Sequence, residues 1–340
     1  MNFPLWIQNL AIFLLAASMG SAFWFVARSP RWQRATRRFR NDKVGLLSAC
    51  VISVYLFIGL LDSVQIPAGP HRDRTALDWM FHGIKRERTY SAPLASTSYS
   101  ATRPQPLEGR HVLGTDVLGK DVLLQTLKAC RTALIIGGLT SMIYIPLGTL
   151  FGVLAGYYRR WVDDVIQYIY STLATIPSIL LLIAIIMALG KGLPQISIAL
   201  GVTAWVGLCR LIRGETMRQS QRAYVEAARA LGQSHRQIIC RHILPNVMHL
   251  VIINFILGFS GFVMTESILS YLGVGVPVGT PSWGQMIDSA RMELAREPAV
   301  WWNLGASACA LFFLVLALNL LGDALRRAFD PRGSSVSVSR

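Results

Sequence analysis

The sequence lacks the short motifs that give a protein nucleotide, zinc-hydrolase or serine-hydrolase chemistry. No Gly-x-x-x-x-Gly-Lys-Ser/Thr run occurs, because Gly119-Lys120 is followed by Asp121 and Gly190-Lys191 by Gly192, where the motif needs a hydroxyl residue. Neither a His-Glu-x-x-His pair nor a Gly-x-Ser-x-Gly elbow is present. We therefore expect a chain that is not an enzyme, that carries no cofactor of its own and that does not hydrolyse ATP.

Acidic residues are also scarce, since 18 Asp and Glu stand against 33 Lys and Arg, for a net charge of +15. Most of the excess lies in short connections beside apolar runs, as at the cytoplasmic face of a membrane protein, and this distribution argues against nucleic acid as the partner. The five cysteines are scattered, so no structural disulfide is expected. His235, His242 and His249 are evenly spaced, but Pro245 interrupts them, and no metal site is predicted.

Long apolar runs dominate what is present. The chain is 53% hydrophobic with a mean hydropathy of +0.44, which is typical of a polytopic membrane protein. We predict an all-α fold whose crossings are Phe3–Ala27, Val44–Leu61, Thr132–Tyr157, about 163–190, about Gln195–Ile212, Asn246 to about Tyr271, and Ala299 to about Leu321. Pro177 lies inside the fourth crossing and should bend it.

The charges beside these runs predict the orientation of the chain. The first run has no basic residue before it and several arginines after it, which predicts a crossing with its N-terminus outside and the following basic linker inside. The alternative is a helix that lies in the membrane interface. The predicted units are an N-terminal helix with its solvated, lipid-facing linker (1–43), a second helix (44–61), an external segment (62–126), a core (127–328) and a disordered tail (329–340). Arginines place residues 213–245 of the core on the cytoplasmic side.

A polar stretch between two apolar runs carries strong local signals. Residues 222–231 are rich in Ala, Arg, Glu and Leu and favour a helix. Gly232 supplies the left-handed residue that closes such a helix. Ser234 and Gln237 have capping-box spacing, so a second short helix should begin at Ser234. Pro245 should end that helix.

This stretch resembles the cytoplasmic coupling loop in permease subunits of ABC importers. The match consists of Glu226-Ala227-Ala228, then Gly232 and Leu244-Pro245, and residues 241–246 are similar to the version in dipeptide and oligopeptide permeases. His242 stands where the pattern usually has Ile. The resemblance implies that the loop docks on a separate ATPase subunit, with Ala227 and Ala228 as a small-residue face. The alternative is an ordinary basic connection between membrane helices.

A second match precedes the third crossing. Residues 113–121, which include Gly114-Thr115-Asp116 and Lys120-Asp121, resemble the Gly-Thr-Asp signature ahead of the core helices in peptide-type ABC permeases. Lys120 replaces the common Arg and loses its bidentate fork. Two interpretations are open for Gly114, Thr115, Asp116 and Asp121. They form a turn that orients the next helix, or they contact the solute directly.

Glu266 is the acid placed deepest within an apolar run. Such an acid normally faces the protein interior or a water-filled cavity, which makes it a candidate for the pore, although a position near the outer surface is an equal alternative. The following segments, Ser270–Pro277 and Pro281–Gly284, resemble segments of the same permeases. Within them, Trp283 suits an anchor at the membrane interface.

Together these matches cover residues 38–332 and imply a six-helix type I ABC importer permease of the dipeptide/oligopeptide/nickel type, with one extra N-terminal helix. The family implies a bacterial inner-membrane location, a homologous second permease, two ATPase subunits that bind ATP and Mg²⁺, and an external solute-binding protein. The sequence does not identify the solute. An ATP-independent secondary transporter or channel would instead rely on intramembrane acids such as Glu266. A membrane-embedded hydrolase would need a catalytic constellation, and none is visible in the sequence.

Overall fold

The computed structural model describes residues 30–67, 73–84, 86–99, 105–297 and 299–329. The predicted first crossing, Phe3–Ala27, lies outside the described residues, and so does the predicted tail beyond Phe329.

The described residues form twelve α-helices, one π-helical turn and a two-stranded antiparallel ribbon in which Gln65 lies opposite Thr75. In chain order they are α1 (Pro30–Arg40), α2 (Lys43–Ser63), β1 (Gln65–Pro67), β2 (Asp73–Thr75), α3 (Ala76–Met80), α4 (Val122–Tyr158), α5 (Arg160–Ala174), α6 (Ser178–Leu189), α7 (Leu193–Ser220), α8 (Ala223–Ala230), α9 (His235–Gln237), the π-helical turn (Ile238–Ile243), α10 (Leu244–Tyr271), α11 (Trp283–Leu294) and α12 (Trp302–Phe329).

Five helical stretches of the described chain are long and apolar enough to cross a membrane: α2, α4, α7, His235–Tyr271 and α12. A sixth span results if α5 and α6 are counted as one. This helical content confirms the predicted all-α polytopic fold class. The helix α4 begins well before the predicted Thr132, because the Asp121 side chain accepts from the Leu124 amide and starts the helix at Val122. Residues 122–126, assigned to the external segment, are therefore helical.

Pro177 breaks the fourth predicted crossing where only a bend was expected. The axes of α5 and α6 meet at 87°. Proline has no N–H to continue the helical ladder, and its ring disfavours helical backbone at the preceding Ile176. The next helix then starts afresh, as Leu180 and Leu181 donate their amides to the Pro177 carbonyl at 3.0 and 3.1 Å. By length and composition, the pair is a broken span or a re-entrant loop.

The main core forms where α4 and α7 approach each other closely. Gly148, Gly152 and Gly156 recur every four residues and therefore share one face of α4. A Cβ atom at Gly152 would lie 2.8 Å from the carbonyl oxygen of Cys209, and one at Gly156 would lie 2.6 Å from that of Arg213. Small residues in this arrangement let two membrane helices pack backbone against backbone.

A second core cluster joins α2, α4, α10, α11 and α12 at the end of the bundle where α4 begins. Trp283 is fully buried there, and its indole N–H donates to the Thr126 carbonyl at 3.1 Å. The Tyr55 ring meets it edge-on, with 6.1 Å between ring centroids. The predicted position of Trp283 as an interfacial anchor is therefore wrong, because its indole is satisfied and enclosed within the protein.

Candidate functional site

The corner segment, residues 221–245, connects α7 to α10 and contains the predicted coupling residues. Its first helix, α8, ends in two hydrogen bonds that reverse the chain. The Gly232 amide donates to the Arg229 carbonyl at 3.0 Å, and the Gln233 amide donates to the Ala228 carbonyl at 3.1 Å. Gly232 has φ of +75°, the left-handed conformation that this C-terminal motif needs. The predicted closure of the helix at Gly232 is confirmed.

The second half of the corner segment begins as predicted and ends differently. Ser234 and Gln237 form a capping box, with the Gln237 amide donating to Ser234 Oγ and the Ser234 amide donating to Gln237 Oε1. The helix does not stop at Pro245, and that prediction is wrong. A π-helical turn carries α9 directly into α10, where Pro245 occupies the first turn.

The π-helical turn explains how the chain tolerates Pro245. In an unbroken α-helix, Pro245 would leave the Arg241 carbonyl without its donor and would press its ring against it. In the wider π-helical turn, backbone amides bond to carbonyls five residues earlier instead of four, which changes the partner of the Arg241 carbonyl. The Asn246 side chain also donates to the His242 carbonyl and satisfies part of the altered ladder. As a result, residues His235–Tyr271 form one continuous helical rod.

The six coupling candidates do not share one environment. Glu226, Ala227, Gly232 and Pro245 are exposed, Leu244 is half-buried, and Ala228 is buried. The predicted small-residue face is therefore only partly available, because Ala228 packs inward beside Val225, and Ala227 alone of that pair faces out. Glu226 and Ala227 belong to the exposed surface of α8, together with Ala223, Tyr224, Arg229 and Ala230.

Contacts from α4 hold the corner segment in place. Tyr157 is buried near the end of α4, and its hydroxyl lies 2.8 Å from His235 Nδ1. The guanidinium of Arg229 lies over the Tyr157 ring, 5.4 Å from its centroid. Within the corner segment, a contact of 2.9 Å joins His242 Nε2 to Gln233 Oε1. The reasoning from sequence missed Tyr157 and His235, because no local pattern pairs residues so far apart in the chain.

An ion pair fixes α5 to α7 on the same side. Arg213 donates to both carboxylate oxygens of Asp163, at 2.5 Å from Nε and 2.7 Å from Nη2. This bidentate geometry is the strong form of an arginine–carboxylate contact. Arg159 adds donations to the Met217 carbonyl and to Ser220 Oγ. The Asp163 carboxylate therefore joins two helices.

The Gly-Thr-Asp residues form a compact turn at the start of α4. The Thr115 hydroxyl donates to the Thr89 carbonyl at 2.9 Å and accepts from the Ser91 amide at 2.7 Å. Gly114 has φ of +73°, and a Cβ atom there would collide with the Ser91 carbonyl. The turn is therefore specified by glycine and by a buried hydroxyl.

The two aspartates of this turn are engaged within the protein. Asp116 accepts from the amides of Leu118 and Lys120 and from the Gln125 side chain, at 2.8–2.9 Å. Asp121 caps α4 and also lies 2.9 Å from Nδ1 of the fully buried His111. All of these bonds orient α4, and His111 is a further residue of the turn whose role the sequence did not reveal.

Glu266 is buried at the far end of α10. Its Oε1 accepts hydrogen bonds from the hydroxyls of Ser270 and Ser282, both at 2.7 Å. Ser282 also caps α11 by accepting from the Gly284 amide at 3.1 Å. The carboxyl group therefore joins α10 to the start of α11 across residues 272–282. Glu266 is therefore enclosed within the protein, with 1% of its surface exposed.

The described helices thus combine candidate membrane spans with a braced, basic corner segment at one end. The chain belongs to the binding-protein-dependent transport system inner membrane component family, whose sequence profile matches residues 148–334. This range runs from the middle of α4 past the end of α12 and includes the corner segment. It confirms the family resemblance seen in the motifs.

Similar proteins extend the match towards the N-terminus. The oligopeptide transport system permease protein OppC of Haemophilus influenzae is 30% identical over 88% of this chain and 88% of its own length. The glutathione transport system permease protein GsiD of Pectobacterium atrosepticum is 36% identical over 65% of this chain and 73% of its own. The dipeptide transport system permease protein DppC of Alkalihalophilus pseudofirmus is 28% identical over 92% and 93%, respectively.

Proposed function

We propose that the chain is the transmembrane permease subunit of an ATP-driven ABC importer for peptides or related small solutes. It forms the translocation pore with a second, homologous permease in the bacterial cytoplasmic membrane. Two ATPase subunits bind ATP and Mg²⁺ on the inner side, and an external solute-binding protein delivers the solute. Residues 226–245 are the surface through which the ATPase subunits act on the pore.

The geometry of the corner segment carries this proposal. One face of α8 is buried in the bundle through Val225 and Ala228, while Glu226 and Ala227 face outward. A small exposed residue on a firmly seated helix lets a partner backbone come close. The reversal at Gly232 and the contact of His235 with α4 hold this face at a fixed angle, as a docking surface requires.

The connections of the corner segment support a mechanical role. The segment continues without interruption into α10 through the π-helical turn, and Tyr157 joins it to α4. The helix α7 leads into it and is itself tied to α5 by Asp163 and Arg213. A displacement of α8 by a closing ATPase dimer would therefore move several membrane helices together and alternate access to the pore.

The relatives support peptides as the solute class, because three of them are named as permeases for oligopeptides, dipeptides and glutathione. The external candidates Gly114, Thr115, Asp116 and Asp121 serve this function by orienting α4, since their polar groups bond within the chain. Glu266 similarly holds the loop before α11 and is not required as an ion-coupling acid.

The test is transport by the complete importer, purified with its partner subunits and reconstituted in proteoliposomes. Gly232→Val forces a β-branched residue into the left-handed region, and Glu226→Lys reverses the charge on the docking face. We expect uptake and solute-stimulated ATP hydrolysis to fall at least about tenfold in both variants. The strain at position 232, about 1–3 kcal/mol, displaces the docking face, and the reversed charge at position 226 opposes the partner. Membrane insertion should be unchanged.

Matched controls are available at other sites. Gly190 also has a positive φ, +88°, and open space around it, but it lies in the turn between α6 and α7 at the opposite end of the bundle. Glu297 is an exposed acid after α11. Gly190→Val and Glu297→Lys should retain uptake. Normal uptake in both corner variants would remove the docking role, and uptake without ATP would contradict the importer mechanism.

A further inference from the structure

Basic residues from the two ends of the described chain converge at one place. The helix α1 packs on the first turn of α2 and on α12, with the Phe39 ring and Ala324 both placed over Gly45. A Cβ atom at Gly45 would lie 2.8 Å from the Phe39 ring and 2.9 Å from Ala324 Cβ, so the close contact depends on glycine. Asp42 then caps α2 and pairs with Arg327 at 2.8 Å.

We name the exposed cationic surface at this contact the basic junction. Its side chains are Arg37, Arg38, Arg40, Lys43, Arg326 and Arg327. The acids of the same segments are Asp42, which is paired with Arg327, and Asp323. The surface therefore has a large excess of positive charge, and arginine forks match the geometry of phosphate groups.

The basic junction lies beside two candidate membrane spans. It is built at the start of α2 and the end of α12, both of which are long and apolar enough to span a membrane. Immediately after Lys43, the side chains of Val44, Leu46 and Leu47 are exposed, Leu47 by 68%. An abrupt change from exposed cations to exposed aliphatic side chains within one helical turn marks the boundary between headgroups and acyl chains.

We propose that the basic junction is a binding site for an anionic phospholipid. The phosphate group lies among arginines of α1 and α12, and the acyl chains run along the exposed aliphatic face of α2. A bound lipid would hold the helix α1 and the end of α12 together, as it neutralises the repulsion between their charges. The site is separate from the corner segment and does not depend on its docking role.

The experiment measures the thermal unfolding midpoint of the full chain in detergent, with phosphatidylglycerol or phosphatidylcholine added. Phosphatidylglycerol should raise the midpoint of the native protein, and phosphatidylcholine should not. The variant Arg37→Gln/Arg40→Gln/Arg326→Gln should bind phosphatidylglycerol at least about tenfold more weakly, because each basic residue near a charged lipid surface contributes about 1 kcal/mol. Higher salt should reduce the effect on the native protein.

A control variant removes the same charge elsewhere. Arg88, Arg110 and Arg291 are exposed in the α2–α4 connection and on α11, and their replacement by Gln should leave the lipid effect unchanged. If the triple variant does not fold, Arg326→Gln alone and the salt dependence of the native protein decide the question. The proposal is overturned by equal effects of the two lipids, by an unchanged triple variant, or by an equal effect of soluble glycerol phosphate.

Discussion

The contact between Tyr157 and His235 should set how firmly the corner segment is held. Tyr157→Phe removes the hydroxyl that lies 2.8 Å from His235 Nδ1 and keeps the ring beneath Arg229. A single intramolecular hydrogen bond contributes about 0.5–1.5 kcal/mol. Because His235 is exposed and can turn to water, we expect the lower part of this range. Local opening of the segment should increase about twofold to fivefold.

Tyr157→Ala should have a larger effect, because it also removes the ring. The cation–π contact with Arg229 adds about 0.5–1 kcal/mol, and the buried ring adds the packing of its apolar surface. The open fraction should rise at least about tenfold. Tyr158→Phe is the matched control, because Tyr158 is 44% exposed and approaches His235 through its ring, with 5.9 Å between centroids.

Limited trypsin digestion measures this opening directly. The segment carries several exposed cleavage sites: Arg222, Arg229, Arg236 and Arg241. When opening is fast relative to cleavage, the rate of digestion follows the population of the open segment. We expect cleavage rates in the order native, Tyr157→Phe, Tyr157→Ala, with Tyr158→Phe like the native protein. If Tyr157→Ala were cleaved at the native rate, Tyr157 would not hold the corner.

Two further predictions concern packing and pH. Gly152→Leu should prevent α4 from packing on α7 and abolish the monodisperse folded protein in size-exclusion chromatography, whereas Gly207→Leu, where the Cβ position is open, should not. Burial raises the pKa of the Asp78 carboxyl, but the Lys128 ammonium at 2.5 Å outweighs it and lowers the pKa below the usual 3.8. The stabilisation from a folded-state pKa below the unfolded value is complete above the unfolded pKa and is lost as the pH falls through the folded pKa, so Asp78→Asn should reduce the loss of stability below about pH 4. Equal acid denaturation curves would contradict this role.

The features that the sequence predicted are those encoded by neighbouring residues. Gly232 closes α8 because a left-handed residue is needed within one turn of the helix, and Ser234 and Gln237 cap the next helix across three positions. The apolar runs predicted the membrane spans for the same reason, because a helix can cross a membrane only along a continuous stretch of apolar residues. The family motifs extended this local information.

The features that the sequence did not reveal depend on contacts between distant residues. Pro245 was predicted to end a helix, but Asn246 and the π-helical turn accommodate it. Trp283 has the composition of an interfacial anchor, yet Thr126 of another helix provides its hydrogen-bond partner and removes it from the membrane surface. Local propensity does not predict these outcomes, because residues from other parts of the fold form the hydrogen bonds that a local analysis counts as missing.

The continuous rod from His235 to Tyr271 relates the two ends of the bundle. Its 37 residues span about 55 Å at the rise of an α-helix. One end is the corner segment, and Glu266 near the other end holds Ser282 and the start of α11. Because a continuous helix is stiff along its axis, a shift of the corner should reach the loop before α11 within the same element. The break at Pro177 separates α5 from α6. A movement of α7 can carry α5 with it through the ion pair of Asp163 and Arg213, while α6 keeps its own position. The fold thus combines one stiff connection with one interrupted connection, as the alternating access proposed above requires.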